Sequence, residues 1–544
     1  MTDRGTIYDR FLTVAGDHPS RPFLHVPDQT AAVYELPRVD FTYAQAAAEV
    51  DTLLATYREL GCGQGLRVGV ALHNRPDFFF HLLALNALGC SVVPLNTAMM
   101  DPELRYLLEH SETALVVAHA SVVEQLASVA GDTLQRPMVV TPAALAGLDR
   151  RWTQASGPLD EDTEAALIYT SGTTGKPKGC MLSNSYFREI GRFYAGIGGY
   201  CSFRPGEDRL ITPLPVSHMN ALATSFMGVM ETASCLIQLD RFHPRTWWES
   251  VAESGATVMH YLGVMPAMLL NAPEQDNDRS FHQLRFAFGA GCDPRHHARF
   301  EERFGIPLTE AWAMSETGAG AWITASHDPR HVGTRCFGKA PEGLEYRLVD
   351  EAGNDVSAGE TGELLVRRHG EKPRQFFFSG YLKNSDATEE AWAGGWFHTG
   401  DEVRVGADGS FYFVDRRKNI IRRSGENIAA IEVESVIIRD PAVVNCVVCP
   451  VPDEIRGEEV AALLVAAPGA RPDAIAEAVF DACRHHLAYY KAPGFIGFVD
   501  AIPLTASEKV QRGEAKRLAA EAVKVGLCMD FTTRKKRPTK EAVQ

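Results

Sequence analysis

Residues 170–179 read Thr170-Ser-Gly-Thr-Thr-Gly-Lys-Pro-Lys-Gly179, or TSGTTGKPKG. Glycines free the backbone for close approach, the hydroxyls of Thr170, Ser171, Thr173 and Thr174 supply donors, and Lys176 and Lys178 supply positive charge, a combination suited to a polyphosphate. The familiar loop G-x-x-x-x-G-K-[ST] is excluded. Only Thr173 and Thr174 separate Gly172 from Gly175, and Pro177 follows Lys176 where Ser or Thr would meet magnesium. The preceding Leu167-Ile-Tyr169 is short and apolar like a strand end, which puts the loop at a strand-to-loop junction. A solvent-exposed flexible loop is the competing reading of the same residues.

Around this loop lies a chain of 544 residues, too long for one ordinary core, so several packed subdomains are expected. A composition of 45% hydrophobic and 23% charged residues belongs to a soluble globular protein, and a net charge of −15 argues against generic nucleic-acid binding. No signal-peptide core and no long apolar run is evident, so a cytoplasmic enzyme without stable membrane insertion is expected. The eleven cysteines are scattered and form no disulfide framework. Cys446 and Cys449 make a CxxC, but within the apolar run VVNCVVCPV, which reads as a buried strand and not as a zinc site.

From about residue 40 to 330, helical stretches alternate with short β-rich runs such as LRVGVAL (66–72), SVVPL (91–95), ALVVAH (114–119) and ATVMHYL (256–262), the pattern of βα units and parallel sheets. Beyond 330 the texture is turn-rich β, with Asp408-Gly409 as a hairpin signal. Strands and helices return after Lys418. The expected fold is α/β with several subdomains: a large N-terminal domain (1–416) of two βα-layered subdomains plus a β-rich one, a small mobile α+β C-terminal domain (417–520), and a flexible tail (521–544) carrying Arg534, Lys535, Lys536 and Arg537.

TSGTTGKPKG resembles the signature loop of the adenylate-forming superfamily, which contains acyl-CoA synthetases, luciferases and nonribosomal peptide adenylation domains. Further motifs similar to that family's follow in order: LPVSHMN (214–220), FGAGCDP (288–294), EAWAMSETG (310–318), GELLV (362–366), GWFHTGDEV (395–403), FVDRRKNIIRRSGENI (413–428) and PLTASEKVQR (503–512). The resemblance implies a two-step reaction. A carboxylate attacks the α-phosphate of ATP to give an acyl-adenylate and pyrophosphate, and a thiol, that of coenzyme A, then displaces AMP.

The resemblance also implies roles. Thr170, Ser171, Gly172, Thr173, Thr174, Gly175 and Lys178 would close on the phosphates that leave, and Glu316 with Thr170 or Ser171 would hold Mg2+, a hard cation that prefers oxygen. Gly289, Ala290 and Gly291 would pass close to adenine, with Trp312 stacked on its other face and Ala313 and Ser315 beside it. Trp312 departs from the family's usual Tyr, and as a lone aromatic it would be core. Asp401, assisted by Arg416, would accept from the ribose hydroxyls. Lys509 would bridge the attacking carboxylate and the α-phosphate, although Ser507-Glu508-Lys509 replaces the usual Ser-Gly-Lys. Lys418 would be the hinge about which the C-terminal domain rotates, and Gly425 would line the pantetheine tunnel. His218 would sit between acid and adenylate, with a satisfied structural histidine as its competitor.

The acid is less legible. FYFVDRRKNIIRRSGENIAAIEVE and RFHPRTWWESVAESGATV resemble the crotonobetaine/carnitine-CoA ligase branch, which implies a short functionalised acid. Trp247, Trp248 and Tyr261 are then aromatic candidates for its pocket, against a reading as core. Medium-chain or aromatic acids are the alternatives. A carrier-loading enzyme, a luciferase-like oxygenase and a non-catalytic acyl-nucleotide sensor share the ATP motifs. Free CoA is favoured because no carrier segment follows Arg512, and a homodimer is compatible with the chain.

Overall fold

The computed structural model describes residues 5–36, 39–96, 99, 101–153, 157–170, 177–416, 419–423, 426–453, 456–487, 489–504 and 510–535, with residues 422, 426 and 427 described in backbone only. Contacts divide the chain into two compact units. The first is Met1–Tyr346 with Val366–His398 and Asp408–Tyr412, and the second is Arg347–Leu365 with Thr399–Ala407 and Phe413–Gln544. The class is mixed α/β with a larger N-terminal and a smaller C-terminal part. The expected boundary after Arg416 is not where the contacts divide, because β segments upstream of it group with the second unit.

The first unit contains a seven-stranded sheet in the order Gly380–Tyr381, Lys178–Ser183, Glu164–Thr170, Ser91–Pro94, Arg67–Ala71, Leu115–Ala118, Met138–Val140. The strands from Glu164–Thr170 to Met138–Val140 run parallel. Their sequences are almost continuously apolar because both faces are covered: Val68, Val70, Val92, Val93 and Leu115 to Ala118 are all buried. The helix Pro76–Ala87 starts with Pro in its first turn and is apolar on nearly every side, as a helix inside the core must be. A second parallel array in this unit runs Leu308–Trp312, Phe286–Ala290, Val258–Leu262, Arg209–Thr212, Cys235–Gln238, Pro22–His25. The βα reading of residues 40–330 is thus met by two sheets whose carboxyl edges carry the motif loops.

In the second unit a six-stranded sheet runs Glu426–Ala429, Ile420–Arg423, Gly457–Ala466, Phe495–Phe498, Met529–Asp530, with Val443–Asp453 also paired to Gly457–Ala466. Cys446 and Cys449 lie three apart on Val443–Asp453 and therefore point to opposite faces, each into a different apolar cluster. Two thiols so divided cannot share a metal.

The expected flexible tail (521–544) is ordered over its described part, residues 521–535, while Lys536 and Arg537 lie outside the described residues. The helix Arg512–Lys524 runs through position 520, and Met529–Asp530 pairs antiparallel with Phe495–Phe498. Phe531 is buried and stacks on Phe480 at 4.6 Å. Arg534 lies over both rings and meets Glu477 at 2.7 Å. Lys535, expected to be solvated, is buried against Glu459, which also takes Arg423 at 2.8 Å. Burial lowers the Lys535 ammonium to about 8 in spite of that carboxylate. Polar composition suggested a loose terminus, and the apolar Phe531 and the buried acid Glu459 hold it down instead. Among the described residues no helix is long and apolar enough to cross a membrane.

Candidate active site

The strand Glu164–Thr170 delivers Thr170 at its carboxyl end, and the antiparallel return strand places Lys178 opposite it. Ser171, Gly172, Thr173, Thr174, Gly175 and Lys176 lie outside the described residues. Glu316 is buried, and its position is set by its surroundings. The Met314 N–H donates to Thr317 Oγ1 at 2.9 Å, the Tyr186 hydroxyl to the Ser315 carbonyl at 2.9 Å, and the Phe378 N–H to the Glu316 carbonyl at 2.9 Å. Its carboxylate oxygen Oε1 accepts from the Thr170 hydroxyl at 3.3 Å and from the Tyr381 hydroxyl at 3.1 Å.

The ring of Tyr381 in turn carries the Lys178 ammonium 4.7 Å from its centroid. Burial and the Glu316 charge raise the Tyr381 phenol far above its ordinary range, and burial followed by the same charge raises the Cys180 thiol. Both therefore stay neutral beside the carboxylate. Glu316 and Thr170 bring two hard oxygen donors together, which fits Mg2+, a cation that takes few protein ligands and completes its shell with phosphate and water.

The residues expected at adenine sit on neighbouring parallel strands. Gly289 pairs with Glu310, so Ala290 and Gly291 emerge at the same edge as Trp312, the last residue of Leu308–Trp312. A side chain at Gly289 would run into the Tyr261 carbonyl at 2.2 Å, whereas Gly291, at φ 79°, opens into free space. Trp312 is mostly buried, with its ring 6.1 Å from that of Phe337, and Ala313 and Ser315 are half-buried next to it. Glu310 organises this edge. Its carboxylate accepts the Gly291 N–H at 2.8 Å, the Cys292 N–H at 3.0 Å and the Tyr261 hydroxyl at 2.6 Å.

Tyr261 is thus a fully buried support, and Trp247 is core. Trp248 packs on Phe281 and Phe304. Trp247 and Tyr261 are buried and face no open space, whereas Trp248 is half-buried.

His218 is half-buried and precedes a π-helical turn, Asn220–Ser225, a geometry that recurs at functional sites. His260 holds that turn. Its Nδ1 lies 2.7 Å from Asn220 Oδ1 and 2.9 Å from Ser225 Oγ, and its Nε2 lies 2.6 Å from the Tyr194 hydroxyl. Burial lowers the imidazole to about 3, so it is a neutral linker.

In the second unit, Asp401 is buried and pairs with Arg416 at 2.6 Å, with Arg416 partly in solvent. Asp415 ties the neighbouring backbone together, accepting from the Arg416 N–H at 2.7 Å, the Asn419 amide at 3.1 Å and the Ile431 N–H at 3.0 Å. Lys418, Gly425 and Lys509 lie outside the described residues. The sequence reading missed Tyr381, Glu310 and Asp415. Glu310 and Asp415 lie inside quoted motifs, but nothing in the motif distinguishes an acid that points at backbone from one that points at a ligand.

Two family models match the chain. The model for AMP-binding enzymes matches residues 23–382, and the model for the AMP-binding enzyme C-terminal domain matches residues 432–509. The chain belongs to the AMP-binding enzyme family, and it is an AMP-forming acid–thiol ligase of the kind that uses ATP, Mg2+ and coenzyme A. Its relatives include a sulfoacetate–CoA ligase of Cupriavidus necator, 32% identical over 510 residues, covering 92% of this chain and 95% of that one. A crotonobetaine/carnitine–CoA ligase of Shigella sonnei is 28% identical over 491 residues, with 88% and 93% covered. Among solved structures, ATP-bound MatB from Rhodopseudomonas palustris shares the fold with a TM-score of 0.79 at 24% identity, covering 95% of this chain and 99% of that one.

Proposed function

We propose that this ligase activates a short carboxylic acid bearing a second polar or charged group, and that its named motif residues divide the two half-reactions. The Thr170–Glu316–Tyr381–Lys178 arrangement carries the reading, since it gathers hydroxyl, carboxylate and ammonium groups at the end of one hairpin. In the first half-reaction the acid's carboxylate oxygen bonds to the α-phosphorus of ATP while the bond to pyrophosphate breaks. Lys178 and the hydroxyls of the loop stabilise the departing charge. Glu316 and Thr170 would hold Mg2+, which would supply positive charge to offset that of the phosphates. Gly289 to Gly291 and Trp312 receive adenine, Asp401 and Arg416 the ribose, and Lys509 the oxygens between acid and α-phosphate. In the second half-reaction the CoA sulfur bonds to the acyl carbon, the carbon–oxygen bond to AMP breaks, and the thiol proton passes to solvent.

Two observations favour a polar acid. The relatives named above act on sulfoacetate or on crotonobetaine and carnitine. Two residues beyond His218 stands the polar Asn220, whose side-chain oxygen lies 2.7 Å from His260 Nδ1. The roles are tested by separating the half-reactions. Lys509→Ala should abolish acid-dependent pyrophosphate release yet still convert supplied acyl-adenylate and CoA to thioester. Gly425→Leu should do the reverse, and Lys418→Pro should spare one half-reaction. Equal loss of both half-reactions in all three variants overturns this assignment.

A further inference from the structure

The hairpin that begins with Glu164–Thr170 has two faces, because consecutive residues of a strand point to opposite sides. Thr170 pairs with Lys178, and Tyr169 pairs with Gly179. Thr170 and Lys178 reach Glu316 and Tyr381, so Tyr169 lies on the reverse face. Gly179 makes room for it there. A Cβ at Gly179 would come within 3.2 Å of the Tyr169 ring, and the missing side chain lets that ring lie close against the return strand.

The helix Asp101–Ser111 packs on that reverse face. Its Leu104, Leu107 and Leu108 are buried in a cluster with Leu167 and Leu382, and Tyr169 and Met181 pack against the same cluster. Leu167, Tyr169, Gly179 and Met181 thus share one side of the hairpin by the alternation of their strands. Arg67 ties the end of the helix to the first of those strands. Its Nη1 donates to the Ser111 carbonyl at 3.3 Å, and its Nε pairs at 2.9 Å with Glu164, where the strand begins. A cation there also suits the partial negative charge of the last helical carbonyls.

Two side chains of this helix grip the two arms of the hairpin. Tyr106 and His110 are four apart and therefore stand on one side of it. The Tyr106 hydroxyl donates to the Pro177 carbonyl at 3.0 Å, on the arm that carries Lys178. His110 Nδ1 lies 2.9 Å from the Tyr169 hydroxyl, on the arm that carries Thr170. The rings of Tyr106 and His110 stack 5.3 Å apart, and Tyr169 stands edge-on to both, at 6.5 and 5.8 Å. Burial raises both phenols, with Tyr106 adding to the effect on Tyr169, so both keep their protons. Each arm is held by a directed hydrogen bond one residue away from Thr170 or Lys178.

We propose that Tyr106 and His110 are positioning residues of the adenylation step: from the reverse face they hold Pro177 and Tyr169, and through them they set Lys178 and Thr170 for the β- and γ-phosphates of ATP. This rests on the reading that Thr170 and Lys178 attend the phosphates that leave. Both residues act through the hairpin and not on substrate. They order its arms in advance, a cost that ATP binding would otherwise meet. The effect is confined to the two phosphates that AMP lacks, whereas a helix that only fills the core would serve ATP and AMP alike.

The test measures calorimetric binding of Mg-ATP and of AMP to the full-length enzyme and to Tyr106→Phe, His110→Ala and His110→Asn. Tyr106→Phe keeps the ring stack and loses the donor, and His110→Asn returns an amide oxygen near the place of Nδ1. The expected result is ATP binding weakened about fivefold in Tyr106→Phe and His110→Ala, AMP binding unchanged, and most of the loss recovered in His110→Asn. Equal weakening of ATP and AMP, or no weakening of either, overturns the positioning role. Lys178→Ala checks the reading beneath it. Selective loss of ATP affinity in Lys178→Ala with none in the helix variants overturns the proposal alone. Unaltered ATP affinity in Lys178→Ala contradicts the phosphate reading, and the proposal falls with it.

Discussion

The Tyr381 hydroxyl donates to Glu316 Oε1 at 3.1 Å, so the acid proposed to hold magnesium has its orientation set by a phenol as well as by Thr170. The same ring lies beneath the Lys178 ammonium. Tyr381→Phe should keep the ring and lose the hydrogen bond. Losing one bond to a charged group, about 1.5 kcal/mol at the low end, corresponds to about tenfold or more in an equilibrium. The expected outcome is an apparent Mg2+ affinity weakened by about that factor in titrations of pyrophosphate release. The KM for the acid should hold steady. An unchanged Mg2+ curve would remove Tyr381 from the site.

Glu310 should act through the adenine loop and not on substrate. Glu310→Gln keeps the shape but sets an amide N–H against one of the two backbone N–H groups that the carboxylate accepts. The KM for ATP should rise about tenfold with the acid's KM unchanged, and Tyr261→Phe should give a smaller change in the same direction. A pure stability loss with normal KM for ATP would assign Glu310 to packing alone.

Glu301 supports the start of the strand that ends at Trp312. Burial alone would raise its carboxyl, but Arg330 at 2.7 Å, His297 and the Leu308 N–H hold it at about 2. The unfolded value is about 4.3, so its folded pKa is depressed, and the stabilisation is present above that pH and lost as pH falls toward 2. It amounts to about 3 kcal/mol. Thermal melts between pH 5 and 3 should show a steep decline in the unsubstituted chain and a flatter one in Glu301→Gln. Parallel curves would contradict this role.

Asp415 joins the backbone of Arg416 and Ile431 and the Asn419 side chain, on both sides of the expected hinge at Lys418. Asp415→Ala leaves two N–H donors without their acceptor. It should destabilise the second unit by about 2 kcal/mol, read by hydrogen exchange at residues 416–431. Unaltered protection in that segment would sink the idea.

The parallel sheets were legible because strands covered on both faces have to be apolar runs, and runs such as LRVGVAL and ALVVAH admit little else. Thr170, Lys178, Glu316, Trp312 and Asp401 stood out as candidates because unusual residues cluster there in short motifs, and the structure brings Thr170, Lys178 and Glu316 together. Tyr381, Glu310 and Asp415 did not stand out, because each works by pointing one atom at a partner distant in sequence or at backbone, and a sequence records the residue without its direction. The tail through Lys535 was misread for a related reason. Its polar composition suggested solvent, while its partners Phe480 and Glu459 lie about fifty to eighty residues upstream.

The most direct measurement is parallel detection of pyrophosphate, AMP and CoA thioester over a panel of short carboxylic acids, sulfoacetate and crotonobetaine among them, with and without CoA. The expected result is pyrophosphate release dependent on one polar acid, followed by equimolar AMP and thioester only when CoA is added. Tight ATP binding without acid-dependent pyrophosphate release for any acid would contradict the assignment as a ligase and favour a nucleotide sensor.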